Sequence, residues 1–476
     1  MKTVAIVGGG ITGLTAAFRL EQKKIPVTLY EAGPRAGGVI ATERRDGYLA
    51  EFGPNSILAT SPLIGSLIHD LDLESRRVEP GPNSRKRYVV RGGKPIALPQ
   101  SPFGFFTTPL FSAGAKFNLL VEPFVHPAAE AREESVAEFV QRRLGREFLD
   151  YAINPFVAGV YAGDPCRLSV RHAFPKLYAL EQKYGSLIVG QIAGARARKR
   201  RAELSKQSAK MFSFDQGLQV LTDALQSELD TDLQLSTTVS RLEQTREGWI
   251  VATRREGREE RHEHSAVVFT APVHRLPELQ LLSDRYLNWS PLSQIHYPPV
   301  ASVALGFRRE DVAHPLDGFG MLIPEKERFS ILGTLFSSSL FPNRAPDGHV
   351  TLTSFLGGVR QPELALRGPE ELVAVTVQDL RALLGVKGRP TFQHVAFFPK
   401  AIPQYEVGYG RFEDLMREVE AKAPGFFLAG NYRHGIALGD SIVSGHRVAD
   451  EVESYATRTI GPEGIHSPEF TTHLAA

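Results

Sequence analysis

The sequence predicts an α/β protein in which a discontinuous Rossmann-like domain carries a second, α+β domain and an inserted, mainly helical domain. A strand, a glycine-rich loop, a helix and a second strand follow one another at the N-terminus. A strand, a glycine-containing loop and a long helix recur over residues 426–455. Between these ends the pattern changes from helical after residue 80 to mixed strand and helix after residue 286.

The N-terminal elements form a βαβ unit. Residues 3–7 (TVAIV) and Val27–Tyr30 have the short, apolar, β-branched composition of buried parallel strands. Between them, residues 8–13 have the composition of a glycine loop and residues 14–22 that of a helix.

The glycines of this loop predict a dinucleotide site. Gly8, Gly10 and Gly13 form G-x-G-x-x-G between strand and helix, where free amides and the helix dipole attract a pyrophosphate. Glu31 directly follows the second strand, the place of a carboxylate that binds ribose hydroxyls. A tight βα turn with a surface glutamate is the alternative that these four residues leave open.

Further elements follow from the hydrophobic pattern. Helices are predicted over Ser135–Leu144, Glu147–Ala152, Leu187–Lys206, Phe214–Leu229 and Pro369–Leu384. Strands are predicted over Leu233–Leu242, Trp249–Arg254, Ala266–Thr270, Ala301–Phe307 and Val350–Leu356. Residues 466–476 have the composition of a frayed tail.

These elements divide the chain into three domains. We assign residues 1–80, 210–285 and 400–460 to the nucleotide-binding domain. Residues 286–399 form the α+β domain, which we expect to bind substrate. Residues 81–209 form the inserted helical domain.

The charge balance excludes several classes of partner. Fifty-five Lys and Arg against 53 Asp and Glu leave a net charge of +2, so no overall field favours nucleic acid. The single cysteine, Cys166, excludes a disulfide framework and suits a reducing compartment, so we expect a cytoplasmic protein. Neither metal-ligand spacing nor a Ser/His/Asp arrangement stands out, so no metal site is predicted.

Membrane contact is expected only at the surface. No apolar run is long enough to cross a bilayer, and the nearest candidate, Phe103–Val125, contains Pro109, Lys116 and Glu122. Its phenylalanines, near the basic run Arg196–Arg201, suggest peripheral contact of the inserted domain with the inner face of the cell membrane. The same phenylalanines could instead cap the substrate pocket, and the basic run could be a solvated helix end.

A second signature follows the ribose carboxylate. Glu31 opens the string E-x-x-x-R-x-G-G with Arg35, Gly37 and Gly38, which resembles flavoproteins of the amine-oxidase superfamily. The resemblance implies FAD rather than NAD. Arg35 could then contact a phosphate or simply cap the turn.

The C-terminal unit supplies the other half of the implied cofactor site. In this superfamily a strand delivers a loop and a helix N-terminus to the ribityl and pyrophosphate oxygens. Gly430 and Asp440 occupy those places here, with Asp440 alternatively a plain helix N-cap. The resemblance also places the backbone of Val239 against adenine. Cys166 lies far from this string, so the FAD is expected to be non-covalent.

The motifs together resemble the protoporphyrinogen oxidase family. The resemblance covers about residues 3–455 and includes AGNYRHGIALGDSIVSG at 429–445, Glu51–Ser56 and Gly333–Ser338.

The resemblance implies a tetrapyrrole site. It puts a propionate-binding arginine at Arg87 and an apolar sandwich at Leu322 and Leu335 on one side and Phe355 on the other. The backbone of Gly159 falls close to the pyrrole nitrogens. Without the resemblance, the three apolar residues would be assigned to the core and Arg87 to a solvated strand.

The implied reaction is a six-electron oxidation of protoporphyrinogen IX in heme biosynthesis. FAD N5 accepts the hydrides, O2 reoxidises the flavin to give hydrogen peroxide, and no side chain is assigned a catalytic role.

Three alternatives stay open at this point. Coproporphyrinogen III is the nearest, and its two extra propionates would need cations such as Arg85, Lys86 or Arg91. A flavin amine oxidase or carotenoid desaturase is a second alternative within the fold. A non-catalytic protein resembling GDP-dissociation inhibitors is the third. The oligomeric state does not follow from the sequence.

Overall fold

The computed structural model describes residues 2–126, 132–193, 210–283 and 287–460. The α-helices are α1 (Ile11–Gln22), α2 (Pro62–Asp70), α3 (Pro102–Thr107), α4 (Ala113–Val121), α5 (Val136–Leu144), α6 (Arg146–Phe148), α7 (Asn154–Tyr161), α8 (Val170–Ala173), α9 (Pro175–Tyr184), α10 (187–193), α11 (Gln219–Glu228), α12 (Ser337–Leu340), α13 (Pro362–Ala365), α14 (Pro369–Leu384), α15 (Gly410–Lys422) and α16 (Leu438–Ile460).

The strands are β1 (Val4–Val7), β2 (Val27–Tyr30), β3 (Thr42–Arg45), β4 (Tyr48–Glu51), β5 (Ile57–Leu58), β6 (Arg77–Val78), β7 (Lys86–Arg91), β8 (Lys94–Ala97), β9 (Met211–Phe214), β10 (Asp232–Gln234), β11 (Thr238–Thr245), β12 (Gly248–Arg255), β13 (Arg258–His264), β14 (Ala266–Phe269), β15 (Gln280–Leu282), β16 (Val300–Arg308), β17 (Gly318–Leu322), β18 (Ile331–Leu335), β19 (His349–Gly357), β20 (Phe392–Phe398) and β21 (Phe426–Leu428). The basic run at 196–201, the second half of the predicted helix 187–206 and the tail at 466–476 lie outside the described residues.

A parallel five-stranded sheet confirms the α/β class. Its strand order is β10-β2-β1-β14-β21, so the N-terminal and C-terminal units and two strands from mid-chain meet in one sheet. β1, β2 and β14 are buried along their whole length, which explains their uninterrupted apolar sequences. Because all five strands run the same way, their carboxyl ends share one edge, where nucleotides bind in open α/β sheets.

A seven-stranded sheet of order β20-β16-β19-β18-β17-β7-β8 forms the second layer. Helix α14, predicted at its observed bounds, packs against β16 and β20 on one face. β7 and β8 were expected in the helical insertion, but they form a hairpin that extends this sheet. Gly92 and Gly93 make the turn with φ of +61° and +72°, which a two-residue hairpin requires.

Three smaller predictions were wrong. Helix α1 begins at Ile11, so Gly13 lies inside the helix and not in the loop. Phe214 ends strand β9, and the following helix α11 begins only at Gln219, after the turn at Gly217. The stretch 233–242 is divided between β10 and β11, which belong to different sheets.

Where the structure describes it, the region between β8 and β9 is largely helical, as predicted. A capping box begins α5, because the Ser135 hydroxyl accepts from the Glu138 N–H and the Glu138 carboxylate accepts from the Ser135 N–H. None of the described helices combines the length and apolarity that crossing a membrane requires.

Candidate cofactor and substrate site

The glycine loop between β1 and α1 depends on close backbone contacts. Gly8 has a φ of +114°, and a Cβ on it would lie 2.6 Å from the amide nitrogen of Ala271, after β14. A Cβ on Gly13 would overlap the carbonyl oxygen of Gly8. Both glycines are therefore needed for packing within the protein.

Gly10 differs from its two neighbours in the motif. It is the N-cap of α1, makes no side-chain cap, and a Cβ on it would have no atom within 4 Å. The first N–H groups of α1 have no partner within the helix. A cradle of free amides beside open space fits the pyrophosphate of a dinucleotide.

Glu31 lies at the carboxyl edge as predicted, and its carboxylate already has partners. Its two oxygens accept hydrogen bonds from the N–H groups of Gly9 and Gly33, each at 2.7 Å. The backbone of Ser236 and Thr237 donates to the carbonyls of Gly33 and Glu31 and so brings the start of β11 alongside. Val239 is buried two residues later. Its adenine contact stays a prediction.

Arg35 caps the second glycine turn. Its guanidinium donates to the carbonyls of Ala36 and Ile40 at 2.9 and 3.0 Å and to that of Gly38 at 2.7 Å. The N–H of Gly37 donates to Gly9 at 2.7 Å, which fastens this turn to the first glycine loop. Of the two roles open for Arg35, the structure supports turn capping.

The C-terminal unit meets the same edge. Gly430, at the end of β21, donates to the Ser444 hydroxyl at 3.0 Å, and Thr12 of α1 donates to the carbonyl of Ser441 at 3.1 Å. The N-termini of α1 and α16 therefore lie side by side. Asp440, in the first turn of α16, has its carboxylate against Gly435.

Buried tyrosines hold the loop after β21. Tyr405 donates to the carbonyl of Asn431 and accepts from the N–H of Gly435 at 3.1 Å, while Tyr409 donates to the carbonyl of Tyr432. Burial raises the pKa of Tyr405 and Tyr409 well above the usual value, so both hydroxyls stay donors. Sequence reasoning missed both residues.

The predicted substrate residues share one face of the seven-stranded sheet, opposite α14. The register of the strands aligns the residues of this face in two neighbouring rows, each of which runs across the sheet. One row runs through Val89, Leu322, Gly333, Phe355, Ser302 and Ala396. The other runs through Arg87, Gly320, Leu335, Thr353, Ala304 and His394.

Gly333 is the position without a side chain in the middle of these rows, and the Leu322 side chain lies beside it, with Cδ2 3.3 Å from the place of a Cβ on Gly333. We call this part of the sheet face the cleft. Gly333 separates Leu322 from Phe355, and Leu335 lies two residues along the same strand. Leu322, Leu335 and Phe355 stay partly exposed although their strands are otherwise largely buried. Two apolar walls across a strand position without a side chain suit a flat, apolar ligand.

Gly159 and Arg87 border this cleft. A Cβ on Gly159 of α7 would lie 2.5 Å from Cδ2 of Leu322, so the helix backbone closes directly on that wall. Arg87 is exposed at the edge, with its guanidinium 5.4 Å from the centre of the Phe319 ring. The structure thus brings all five predicted residues together. Sequence reasoning named Gly333 only as part of a motif and did not name Thr353, because the role of each at the site depends on strand register.

Other elements cover the rows on either side. Ala158 and Ala162, at the end of α7, cluster with Val300 of β16. At the other end, Tyr48 of β4 stacks on Phe392 of β20, with ring centres 4.8 Å apart. The predicted substrate residues therefore lie on or beside the strip of sheet face between α7 and the β3–β4 hairpin, which we call the slot.

Known proteins are similar to this chain over about 95% of its length. A family model described as flavin containing amine oxidoreductase matches residues 11–453. Protoporphyrinogen oxidase 2, chloroplastic/mitochondrial, of Arabidopsis thaliana is 38% identical over 95% of this chain and 94% of its own length. Coproporphyrinogen III oxidase of Bacillus subtilis (strain 168) is 30% identical over 95% of this chain and 98% of its own. A crystal structure from Exiguobacterium sp. 255-15, provisionally named protoporphyrinogen oxidase, superposes with a TM-score of 0.80 at 26% identity, covering 95% of this chain and 99% of that one.

Proposed function

The chain belongs to the flavin-containing amine oxidoreductases, in the group that holds the protoporphyrinogen and coproporphyrinogen III oxidases, and we propose that it oxidises a porphyrinogen to the porphyrin. It is an FAD-dependent oxidoreductase. When bound, FAD supplies the two-electron acceptor for each step of such an oxidation. The observation that supports this substrate class is the apolar slot at Gly333, with one exposed guanidinium at its edge.

The chain's own residues would hold the cofactor at the carboxyl edge of the parallel sheet. The open N-terminus of α1 at Gly10 would take the pyrophosphate, and Glu31 the ribose of the adenosine half. Gly430 and Asp440 would face the ribityl side. The turn that Arg35 caps would close over the cofactor, with Gly37 and Gly38 allowing close backbone approach.

The same residues would orient the tetrapyrrole. Leu322 and Leu335 would pack on one side of the macrocycle and Phe355 on the other, which excludes water from the reacting bond. Gly159 would bring backbone close to the pyrrole nitrogens. Arg87 would pair with a propionate through a charge-assisted hydrogen bond.

Protoporphyrinogen IX is the porphyrinogen that we propose, with O2 as the acceptor and hydrogen peroxide as the by-product. Coproporphyrinogen III carries two more propionates, which need further cations. Lys86 already pairs with Asp317, and Arg91 pairs with Glu147, while no carboxylate lies within ion-pair distance of Arg85 or Arg87 among the described residues. The higher identity to a protoporphyrinogen oxidase also supports this choice.

Specificity constants for the two substrates test the proposal. FAD-loaded protein should oxidise protoporphyrinogen IX in air with a higher kcat/KM than coproporphyrinogen III, with peroxide formed for each electron pair. A clear preference for coproporphyrinogen III would reverse the choice of substrate. Oxidation of neither above the spontaneous rate would overturn the proposed function.

We also propose peripheral membrane contact through an apolar surface on α3, α4, the turn that follows α4, and α10. Large apolar side chains are exposed there, namely Phe103, Phe106, Phe117, Leu120, Phe124, Val189 and Ile192. Lys116 of α4 donates to the carbonyl of Phe106, and Glu122 accepts from the N–H of Leu187, which brings the three helices together. Exposed aromatic side chains suit insertion into the interface of a bilayer.

Liposome flotation tests this contact. The wild type should float with anionic vesicles, and the double variant Phe103→Ser/Phe124→Ser should not, while retaining FAD. A wild type that stays with the unbound fraction would contradict the contact and leave the proposed oxidation unaffected.

A further inference from the structure

A small buried cavity lies where the β3–β4 hairpin meets the substrate sheet. Its volume is about 10 Å³, and its lining includes the polar side chains of Glu51, Asn55, Ser337 and Thr353. A buried water needs about 10–15 Å³ and two to four polar partners. The cavity therefore has the size and chemistry for one water molecule.

Thr353 joins this cavity to the substrate slot. It lies opposite Leu335 and two residues before Phe355 on the slot face of β19. Its hydroxyl is 2.8 Å from the Ser337 hydroxyl, and both side chains are buried. Thr353 and Ser337 thus form a buried hydroxyl pair on the slot side of β19 that lines the cavity.

Glu51 lies on the other side of the cavity. It is 3% exposed, and its carboxylate accepts from the Thr42 hydroxyl at 2.7 Å and from the Leu218 N–H at 2.8 Å. Thr42 is half-buried at the start of β3, and its hydroxyl oxygen also accepts from the Gln219 N–H at 3.3 Å. Burial raises the pKa of Glu51, which makes its carboxylate a better proton acceptor near neutral pH.

We propose that Glu51 receives the protons that the pyrrole N–H groups lose, through Thr353, Ser337 and a water in the cavity. The inference rests on the proposed function. The N–H bond breaks and its electron pair stays in the tetrapyrrole. The proton passes to the Thr353 oxygen as the hydroxyl's own proton moves on to Ser337, to the water and to Glu51, where an O–H bond forms. Thr42 then passes a proton from Glu51 to solvent.

Two arginines face Glu51. Arg344 lies at 4.0 Å and is itself buried, and Arg44 adds a more distant positive charge. Both favour the carboxylate and oppose the effect of burial, and Asp215 adds a negative charge that acts on Arg344. The carboxylate accepts protons only when ionised, so turnover that depends on it must fall as pH decreases through its pKa.

Turnover of the FAD-loaded protein with the porphyrinogen tests the relay. Glu51→Gln keeps an acceptor for the Leu218 N–H and should lower kcat about 100-fold, the scale of general acid–base catalysis, with KM unchanged. The acidic limb of the kcat–pH profile should disappear in this variant. Thr353→Val interrupts the same route while leaving Glu51 in place, and should lower kcat comparably.

The chain offers a matched control. Thr334 and Ser354 form a second buried hydroxyl pair on β18 and β19, also 2.8 Å apart, on the face towards α14. Ser354→Ala should therefore change neither kcat nor its pH profile. Turnover by the wild type together with unaltered profiles in Glu51→Gln and Thr353→Val would overturn the relay but not the oxidation. A wild type that oxidises no porphyrinogen would overturn both.

Two measurements do not depend on turnover. Infrared difference spectra of the resting holoenzyme should show a carboxyl band that titrates above the usual range of glutamate and is missing in Glu51→Gln. A crystal structure should show one ordered water within hydrogen-bond distance of Glu51 and Ser337. A dry cavity, or one filled by the cofactor, would contradict the relay.

Discussion

Arg87 offers the most direct test of the proposed substrate specificity. Because it lies exposed at the edge of the slot, its replacement should leave the fold intact. Arg87→Ala removes a charge-assisted hydrogen bond worth about 1.5–3 kcal/mol, so kcat/KM for protoporphyrinogen should fall about 10- to 100-fold, mainly through KM. Steady-state kinetics check this, with Lys94→Ala on the neighbouring strand β8 as the control. Equal effects of Arg87→Ala and Lys94→Ala on kcat/KM would show that Arg87 does not bind the substrate.

Gly10 and Gly13 should respond differently to the same substitution. A Cβ on Gly10 meets no atom, so Gly10→Ala should unfold at the wild-type temperature without cofactor but bind FAD at least 10-fold more weakly, because the methyl group occupies the pyrophosphate position. Gly13→Ala forces α1 away from the loop and should lower Tm as well. Calorimetry and flavin titration separate the two effects. Wild-type FAD affinity in Gly10→Ala would place the pyrophosphate elsewhere.

Gly159 allows a steric test of the slot. Gly159→Ala presses on Cδ2 of Leu322, the flexible end of that side chain, so the fold should tolerate it. The displaced Leu322 then narrows the slot, and kcat/KM should fall about 10-fold while FAD content stays the same. Val160→Ala, one residue later on α7 and exposed to solvent, serves as the control for helix stability. Unchanged kinetics would separate α7 from the substrate.

At the level of the elements, a buried ion-pair network holds the helical region. Arg143 of α5 is fully buried between two carboxylates. One belongs to Glu122, which follows α4 and lies at the start of α10, and the other belongs to Glu181 of α9. Glu122 also accepts from the N–H groups of Leu187 and Ile188 at 2.9 and 3.2 Å and so caps α10. The network therefore sets the positions of the helices that carry the proposed membrane-contacting surface.

Removing Arg143 from this ion-pair network should destabilise the folded protein. Arg143→Ala leaves the buried Glu122 carboxylate without its cation and leaves Glu181 with Arg142 alone, so it should lower the free energy of unfolding by about 3–5 kcal/mol. Chemical denaturation measures this, with Arg132→Ala, whose exposed ion pair with Glu138 should matter by less than about 1 kcal/mol, as the control. A loss below 1 kcal/mol for Arg143→Ala would contradict a structural role of the network.

The elements that the sequence predicts are those with a strong local pattern. α14 and the apolar strands β1, β2 and β16 needed only periodicity and composition. β13 (REERHEH) consists only of Arg, Glu and His and becomes a strand only because it pairs with β12. The β7–β8 hairpin has a visible Gly-Gly turn, but its membership of the substrate sheet depends on a parallel pairing with β17, far along the chain.

The residues of the site also differ in whether local sequence predicts them. The cofactor glycines and Glu31 follow from motif spacing, because a phosphate cradle is local in sequence. Leu322, Leu335 and Phe355 have no local signal that separates them from core residues and required the family resemblance. Gly333 and Thr353 gain their positions only from strand register, which a single sequence does not specify. Their roles towards ligands stay predictions.

For the whole molecule, buried histidines make stability depend on pH. Burial, with a smaller contribution from His262, lowers the pKa of His264 to about 4. Its ring is held neutral between Thr3 at 2.8 Å and Tyr30 at 2.9 Å. Since the folded pKa lies below the unfolded value of about 6.5, this contribution is present above pH 6.5 and lost as pH falls towards 4.

The size of this pH effect on the free energy of unfolding follows from the linkage between proton binding and folding. Neutral burial of His264 makes acidification from pH 7 to 4 cost about 3 kcal/mol, and His274 and His446, also lowered to about 4, act in the same direction. Unfolding free energies measured between pH 7 and 4 should therefore fall, and His264→Gln should reduce the slope by about 1.4 kcal/mol per pH unit in the middle of that range. Parallel curves for the two proteins would show that His264 takes up its proton in the folded state.

The central claim is that the two ends of the chain close around FAD so that a porphyrinogen in the slot can reduce it. Anaerobic mixing of the FAD-loaded protein with protoporphyrinogen IX measures this step directly through the visible flavin band. We predict that the band bleaches as porphyrin absorption appears, and that air restores it. A protein that binds no flavin, or whose flavin stays oxidised in the presence of excess protoporphyrinogen, would contradict the claim.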